Sequence, residues 1–328
     1  MPERNTMKKI QELQQVKGDA YDYYIAGNED TDLFEKIFLV DDIVEEICKP
    51  DKYFLIGEKG SGKTAYSVYM SKSDKINSFC SISLVENTLY QRFLNMKRQK
   101  ALELSSFKDV WINLIYLILA EKIRKEYGET FFSSIKYKQL SKAIDVFYSD
   151  AFKPEFVNAF EFVDNASASI NSMMKQGLFS TGTKASAETS QKYVEQSFQI
   201  SLLKIRDGFE KAFMSVNLKK PTILFVDGID ARPRDIDNEQ YFECLVGLVN
   251  AVLEMNQSFL KEKQIKIMLL IRPDIMYKMP VHNMNQKLRN NSVLLNWVTS
   301  YRKYIDSKLF KIADDYFMKQ QDLSLIHI

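Results

Sequence analysis

The sequence predicts an α/β chain: a parallel sheet of short, buried strands with helices on both faces, a three-layer sandwich. Three observations carry this. Tyr53–Ile56, Thr222–Val226 and Ile265–Ile271 are near-continuous apolar runs of strand length, the pattern of strands covered on both sides rather than half-exposed ones. The stretches between them carry apolar residues at helical spacing. The first run leads directly into a glycine-rich loop and then a helical segment.

Taken in order, residues 1–32 read as a mixed-charge N-terminal extension, with one helix around Met7–Gln15 and a loop through Gly18–Asp30. Leu33–Cys48 has helical apolar spacing (Leu33, Phe34, Ile37, Phe38, Val40, Ile43, Val44, Ile47) and is stopped by Pro50. After strand Tyr53–Ile56 and its loop, a helix is expected from Lys63 to about Met70. Phe79–Leu84 is the next strand, with Cys80, Ile82 and Leu84 alternating against serines. Residues 88–100 suit a basic amphipathic helix and Lys108–Tyr127 a long buried one. Its run Val110–Ala120 is too short to span a bilayer, which needs about 20 apolar residues. A helical insertion is expected over about 128–215: aromatic-rich Phe131–Met174 broken at Pro154, a loop-like Gln176–Ser190 rich in glycine, serine and threonine, and a helix at Tyr193–Val216. Beyond strand Thr222–Val226 come helix Asn238–Leu260, strand Ile265–Ile271 and a helix over Tyr301–Phe317. The main domain is thus expected over 33–318, and 319–328 is set apart as a tail.

The chain has 328 residues, with 45 lysines and arginines against 43 acidic residues and a formal charge of +2. That balance excludes a uniformly basic nucleic-acid coat and an acidic tail protein, while allowing a local basic patch. A hydrophobic fraction of 45% with only 7 prolines excludes wholesale disorder. Cys48, Cys80 and Cys244 are scattered and form neither a disulfide framework nor a metal-ligand pair, which fits a reducing compartment. Two histidines, His282 and His327, leave no zinc cluster. Residues Met1–Asp22 contain no apolar core of a signal peptide, so a cytoplasmic, non-membrane protein is expected. The last six residues, Leu323–Ile328, resemble the in-frame translation of a sequencing-library adapter, so a truncated longer protein is expected.

The chemistry centres on Gly57-Glu58-Lys59-Gly60-Ser61-Gly62-Lys63-Thr64, which fits the phosphate-binding loop, or Walker A, pattern completely. Glycines let successive N–H groups turn inward toward phosphate oxygens, and the following helix adds its positive N-terminal end. The cofactor-binding set is therefore Gly57 through Thr64 together with Ala65 in the first helical turn. Lys63 is expected at the β- and γ-phosphates, and Thr64 on Mg²⁺. Asp227 closes the run Ile223-Leu224-Phe225-Val226 as a Walker B carboxylate, at the strand end where parallel sheets bind ligands, and is the second Mg²⁺ ligand. Gly228 follows it. Asp230 is the nearest further carboxylate, either a water-polarising catalytic group or a turn cap. Arg272, at the end of Ile265–Ile271, either senses the γ-phosphate or pairs with Asp274 or Asp230. Phe38, Leu39 and Asp41 precede the loop strand, where they would flank an adenine ring; core packing explains Phe38 equally well.

Phe54-Leu55-Ile56-Gly57 through Thr64, then Val226-Asp227-Gly228-Ile229-Asp230, then Leu270-Ile271-Arg272-Pro273-Asp274 resemble STAND-like P-loop ATPases of the AAA-related branch. The likeness is greatest to bacterial ATPases labelled as DNA-repair or phage-defence proteins. Asn291-Ser292-Val293-Leu294-Leu295-Asn296-Trp297 and the helix after it share the resemblance, which covers about 33–318. It implies an ASCE or AAA-like P-loop NTPase core with an added strand between the two nucleotide motifs, ATP rather than GTP, Mg²⁺, homo-oligomers and a C-terminal sensor or effector region. Many hydrolytic members carry a glutamate where Gly228 stands, so slow turnover is expected. The reading is an ATPase acting as a conformational switch in bacterial defence or DNA maintenance. The alternatives are a DNA-associated motor touching phosphates through Lys97, Arg98, Lys100, Arg232 and Arg234, a nucleotide-binding scaffold without turnover and, less well matched, a small-molecule kinase. A partner effector protein and DNA stay open.

Overall fold

A computed structural model of the chain describes residues 17–25, 28–85, 107–133, 137–151, 202–230, 237–279, 288–296, 305 and 307–319. The expected helices at Met7–Gln15 and 88–100, most of the 128–215 insertion, the Arg232–Arg234 cluster, both histidines and the tail past Lys319 lie outside them.

The sheet has five parallel strands: β1 Phe54–Gly57, β2 Phe79–Leu84, β3 Thr222–Asp227, β4 Ile265–Ile271 and β5 Ser292–Leu295. Their spatial order is β2-β3-β4-β1-β5, so β4 separates β1 from β3. The register pairs Phe54 with Leu269, Val226 with Leu269 and Leu84 with Asp227. All strands run the same way, so Gly57, Leu84, Asp227 and Arg272 gather at one edge of the sheet. Every residue of β1, β3 and β4 is buried, as the apolar runs require.

Lys266 is the exception within β4, and the fold gives it a partner. Its Nζ donates to the carbonyls of Ile47 and Lys49, the latter at 2.9 Å, where a helix ends. A buried ammonium there replaces water on the orphaned carbonyls of a helix C-terminus. Burial pulls its pKa down to about 8.

Before the sheet come α1 Ala20–Ile25, α2 Asn28–Ile37 and α3 Asp42–Cys48. The single helical spacing expected over 33–48 is thus broken. Asp41 is extended (φ −131°) and its carboxylate accepts the N–H of Ile43, an N-cap that restarts the helix. α1 packs on α4 Lys63–Lys72, with Tyr23 buried in the same cluster as Phe34, Tyr69, Ile82 and Leu270.

The opposite face carries α5 Phe107–Ser133, α6 Lys138–Ala151, a helix α7 over 202–215, and α8 Asn238–Gln257. Gly128 (φ 74°) interrupts α5, close to where the long buried helix was expected to end. Trp111 is buried in the same core cluster as Tyr116, Leu248 and Ile267, and its indole N–H donates to the Cys244 carbonyl at 3.1 Å. Asn256 locks α8 to the sheet: its amide donates to Ile267 O at 2.8 Å while its oxygen accepts Ile267 N–H at 2.9 Å. α9 Pro273–Lys278 follows β4, and α10 Lys308–Lys319 closes the chain onto α2. Among the described residues no helix is long and apolar enough to cross a membrane.

Candidate functional site

The glycine loop leaves β1 at the carboxyl edge of the sheet and enters α4. A Cβ at Gly57 would overlap Ser61 Oγ and stand 3.0 Å from Leu295 Cβ, so glycine leaves room for the loop to fold over the strand end without moving Ser61 or Leu295. Ser61 N–H donates to Glu58 O at 3.1 Å, closing the turn. Gly60 and Gly62 both have positive φ, and Gly62 is the N-cap of α4. Glu58, Lys59 and Gly60 are exposed, while Ala65 packs toward the core.

Lys63 is 7% exposed and folds back over the loop, donating to Gly57 O at 2.8 Å and Glu58 O at 3.2 Å. Burial lowers its pKa, and the nearby carboxylates of Asp230 and Asp227 oppose that shift. Its Nζ lies 3.9 Å from Asp230 Oδ2.

Thr64 Oγ1 donates to Asp227 Oδ2 at 2.7 Å, joining residues 163 positions apart. Asp227 Oδ1 accepts the Gly228 N–H at 2.7 Å. Burial raises the Asp227 carboxyl, and the Thr64 hydroxyl, the Gly228 amide and Lys63 hold it back. Gly228 has φ +84°, and a Cβ there would stand 3.1 Å from Val85 O. The position admits no glutamate without strain, which is the physical reason for glycine after the strand carboxylate.

Asp230 is the most perturbed carboxyl of the group. Burial pushes it up to about 6, against the pull of Lys63. Its Oδ1 is buried with no hydrogen-bond partner among the described residues. Arg272, at the end of the intervening strand β4, instead makes a bidentate pair with Asp274, Nε to Oδ1 at 2.9 Å and Nη2 to Oδ2 at 2.8 Å. Asp274 is one of the two carboxylate partners expected for Arg272.

Phe38 stacks on Tyr69 (4.3 Å between centroids, 9° between planes) and meets Tyr66 edge-on at 5.1 Å. Asp41 is also engaged: both its oxygens accept from Tyr66 OH at 2.9 Å, and Lys308 of α10 pairs with it at 2.6 Å. Burial and Asp41 push the Tyr66 phenol far above its ordinary range. Of the expected adenine-flanking residues, Phe38 is therefore packed against the loop helix, and Asp41 is bonded to that helix and tied to α10. Sequence reasoning missed Tyr66 and Lys308. Tyr66 carries a signal, two residues past Thr64 on the helix, whereas Lys308 lies 267 residues from Asp41 and carries none.

Among the described residues no cluster of three or more histidine, cysteine or acidic side chains forms a self-sufficient metal site. A hydroxyl and a carboxylate in direct contact, Thr64 and Asp227, are the hard oxygen donors that suit Mg²⁺ when phosphates and water complete its shell. No protein-family model, curated protein or solved structure matches the chain.

Proposed function

We propose that the chain binds Mg²⁺-ATP at the Gly57–Thr64 loop and hydrolyses it slowly, as a conformational switch. The observation that supports this best is the Thr64–Asp227 hydrogen bond at 2.7 Å. It brings the loop hydroxyl and the strand-end carboxylate to one point, beside a lysine folded over the loop carbonyls. The strand order is consistent with a P-loop core, since β4 intervenes between the loop strand and the carboxylate strand.

In this reading the loop amides and Lys63 hold the phosphates, and Thr64 and Asp227 hold Mg²⁺. Bound there, Mg²⁺ would screen charge between the β- and γ-phosphate oxygens. Asp230 stands across from Lys63 with a pKa raised to about 6 and an acceptor oxygen unpaired among the described residues, suited to accept a proton from water near neutral pH. Gly228 leaves no acid directly after Asp227, which fits slow turnover. The resemblance to STAND-like ATPases favours ATP over GTP and a regulatory role in bacterial defence or DNA maintenance.

The test is phosphate release from Mg²⁺-ATP by the full chain beside Asp230→Ala and Thr64→Ala. Release by the wild type, lost in Thr64→Ala and lowered at least about tenfold in Asp230→Ala, supports the reading. Nucleotide binding with no release by the wild type replaces the switch ATPase with a nucleotide-bound scaffold.

A further inference from the structure

We propose that the outer edge of β2 is a docking site for an extended, acidic peptide strand of a partner protein. The proposal is independent of the nucleotide reading. Among the described strands β2 ends the sheet and pairs with β3 alone. Phe79 N–H donates to Pro221 O and Val85 N–H to Asp227 O, so odd-numbered amides address β3. By the two-residue period of a strand, the amides of Cys80, Ile82 and Leu84 face away from it. Ile82 N–H indeed reaches outward, to Tyr24 OH at a long 3.4 Å.

A trough of about 980 Å³ lies beside this edge and is lined by Phe79, Cys80, Ser81, Ser83 and Leu84 of β2. Its floor is the strand edge, including Ser81, which is 3% exposed and whose Oγ has no hydrogen-bond partner among the described residues. The two walls differ. Tyr24 and Met70, from α1 and α4, give one side an aromatic and apolar element, with Lys72 over the Tyr24 ring and Asp74 beside them. Lys125 of α5 joins Lys219 and Lys220 on the other, all three exposed, and with Lys122 they outnumber Glu121 and Glu126 there. The lining as a whole carries five lysines against three carboxylates.

An unpaired strand edge binds an added strand through its main chain, and the wall chemistry then sets which side chains fit. Successive residues of the added strand point to opposite walls, so the matching sequence alternates acidic with apolar residues. A six-residue strand at 3.3 Å per residue covers roughly 20 Å, the length of β2.

The test is fluorescence anisotropy with the full chain and a labelled peptide of four Glu-Val repeats. Saturable binding below about 0.5 mM is expected. Methylating alternate peptide nitrogens, exchanging Glu for Lys in the probe, or reversing charge with Lys125→Glu, Lys219→Glu and Lys220→Glu should each weaken it at least about tenfold. Leu84→Pro removes an outward N–H while sparing the β3 ladder and should weaken binding similarly, with far-UV circular dichroism confirming the fold. Three results with the peptide overturn the proposal: no saturable binding, equal affinity for the methylated probe, or displacement of the peptide by oligothymidylate, which would make the lysines a nucleic-acid contact. Self-association of the chain that Leu84→Pro abolishes would also overturn it, assigning the edge to a second copy.

Discussion

Asp230→Asn isolates the most informative charge in the site. Burial keeps the native carboxyl protonated up to about pH 6, against an ordinary aspartate value of 3.8. Unfolding therefore releases a proton between those values, and stability falls as pH rises through that window. The carboxylate pays at most about 3 kcal/mol for its burial at pH 7, because a shift from 3.8 to about 6 is about two pKa units at about 1.4 kcal/mol each. Its side chain is 27% exposed, so the screened value sits below that ceiling. Asparagine keeps the shape and removes the titration. Urea unfolding of both proteins, followed by tryptophan fluorescence, should show the wild type losing about 1–2 kcal/mol relative to the variant between about pH 4 and about pH 7. The difference between the two profiles reports Asp230 together with the charges coupled to it, chiefly Lys63 and Asp227. Parallel pH profiles would refute a raised carboxyl at this position and, with it, the argument for Asp230 as a near-neutral base.

Other consequences are simpler to measure. Asn256→Leu, at a side chain 2% exposed, leaves the Ile267 N–H and C=O without their partners and should cost about 2–4 kcal/mol in urea unfolding. Gly228→Ala forces a side chain to φ +84° against Val85 O and should lower stability by about 1–2 kcal/mol, read as a fall in Tm. Asp41→Asn and Lys308→Met, combined in a double-mutant cycle, should show a coupling of about 0.5–1 kcal/mol, since the lysine side chain is 33% exposed.

Much of this architecture was legible because fully buried strands leave a strong trace. Three apolar runs became β1, β3 and β4, and the alternation of Cys80, Ile82 and Leu84 became β2. The trace fails where tertiary contacts decide. Apolar spacing continued through Phe38–Asp41, yet Asp41 caps a new helix and takes its partners from Tyr66 and Lys308, and no local pattern announces a bond spanning 267 residues. Ser292–Leu295 is only four residues long and is held in the sheet by pairing with β1, so it stood out only by resemblance. Lys266 interrupts an apolar run because it serves the end of α3, a role visible only once that helix is in place. At the site, the loop and Asp227 follow from residue type and spacing. The pairing of Arg272 with Asp274 was one of several open choices, and the left-handed backbone at Gly228 has no sequence signal beyond glycine itself.

The central claim is that the loop around Lys63 holds a nucleoside triphosphate with Mg²⁺. Titration calorimetry of ATP into the full chain, in Mg²⁺ and beside Lys63→Ala, tests it most directly. Saturable binding by the wild type, weakened at least about tenfold (about 1.4 kcal/mol) in Lys63→Ala, is the predicted result. A folded wild-type chain that binds no nucleotide, or binds it no more tightly than Lys63→Ala, would contradict the account.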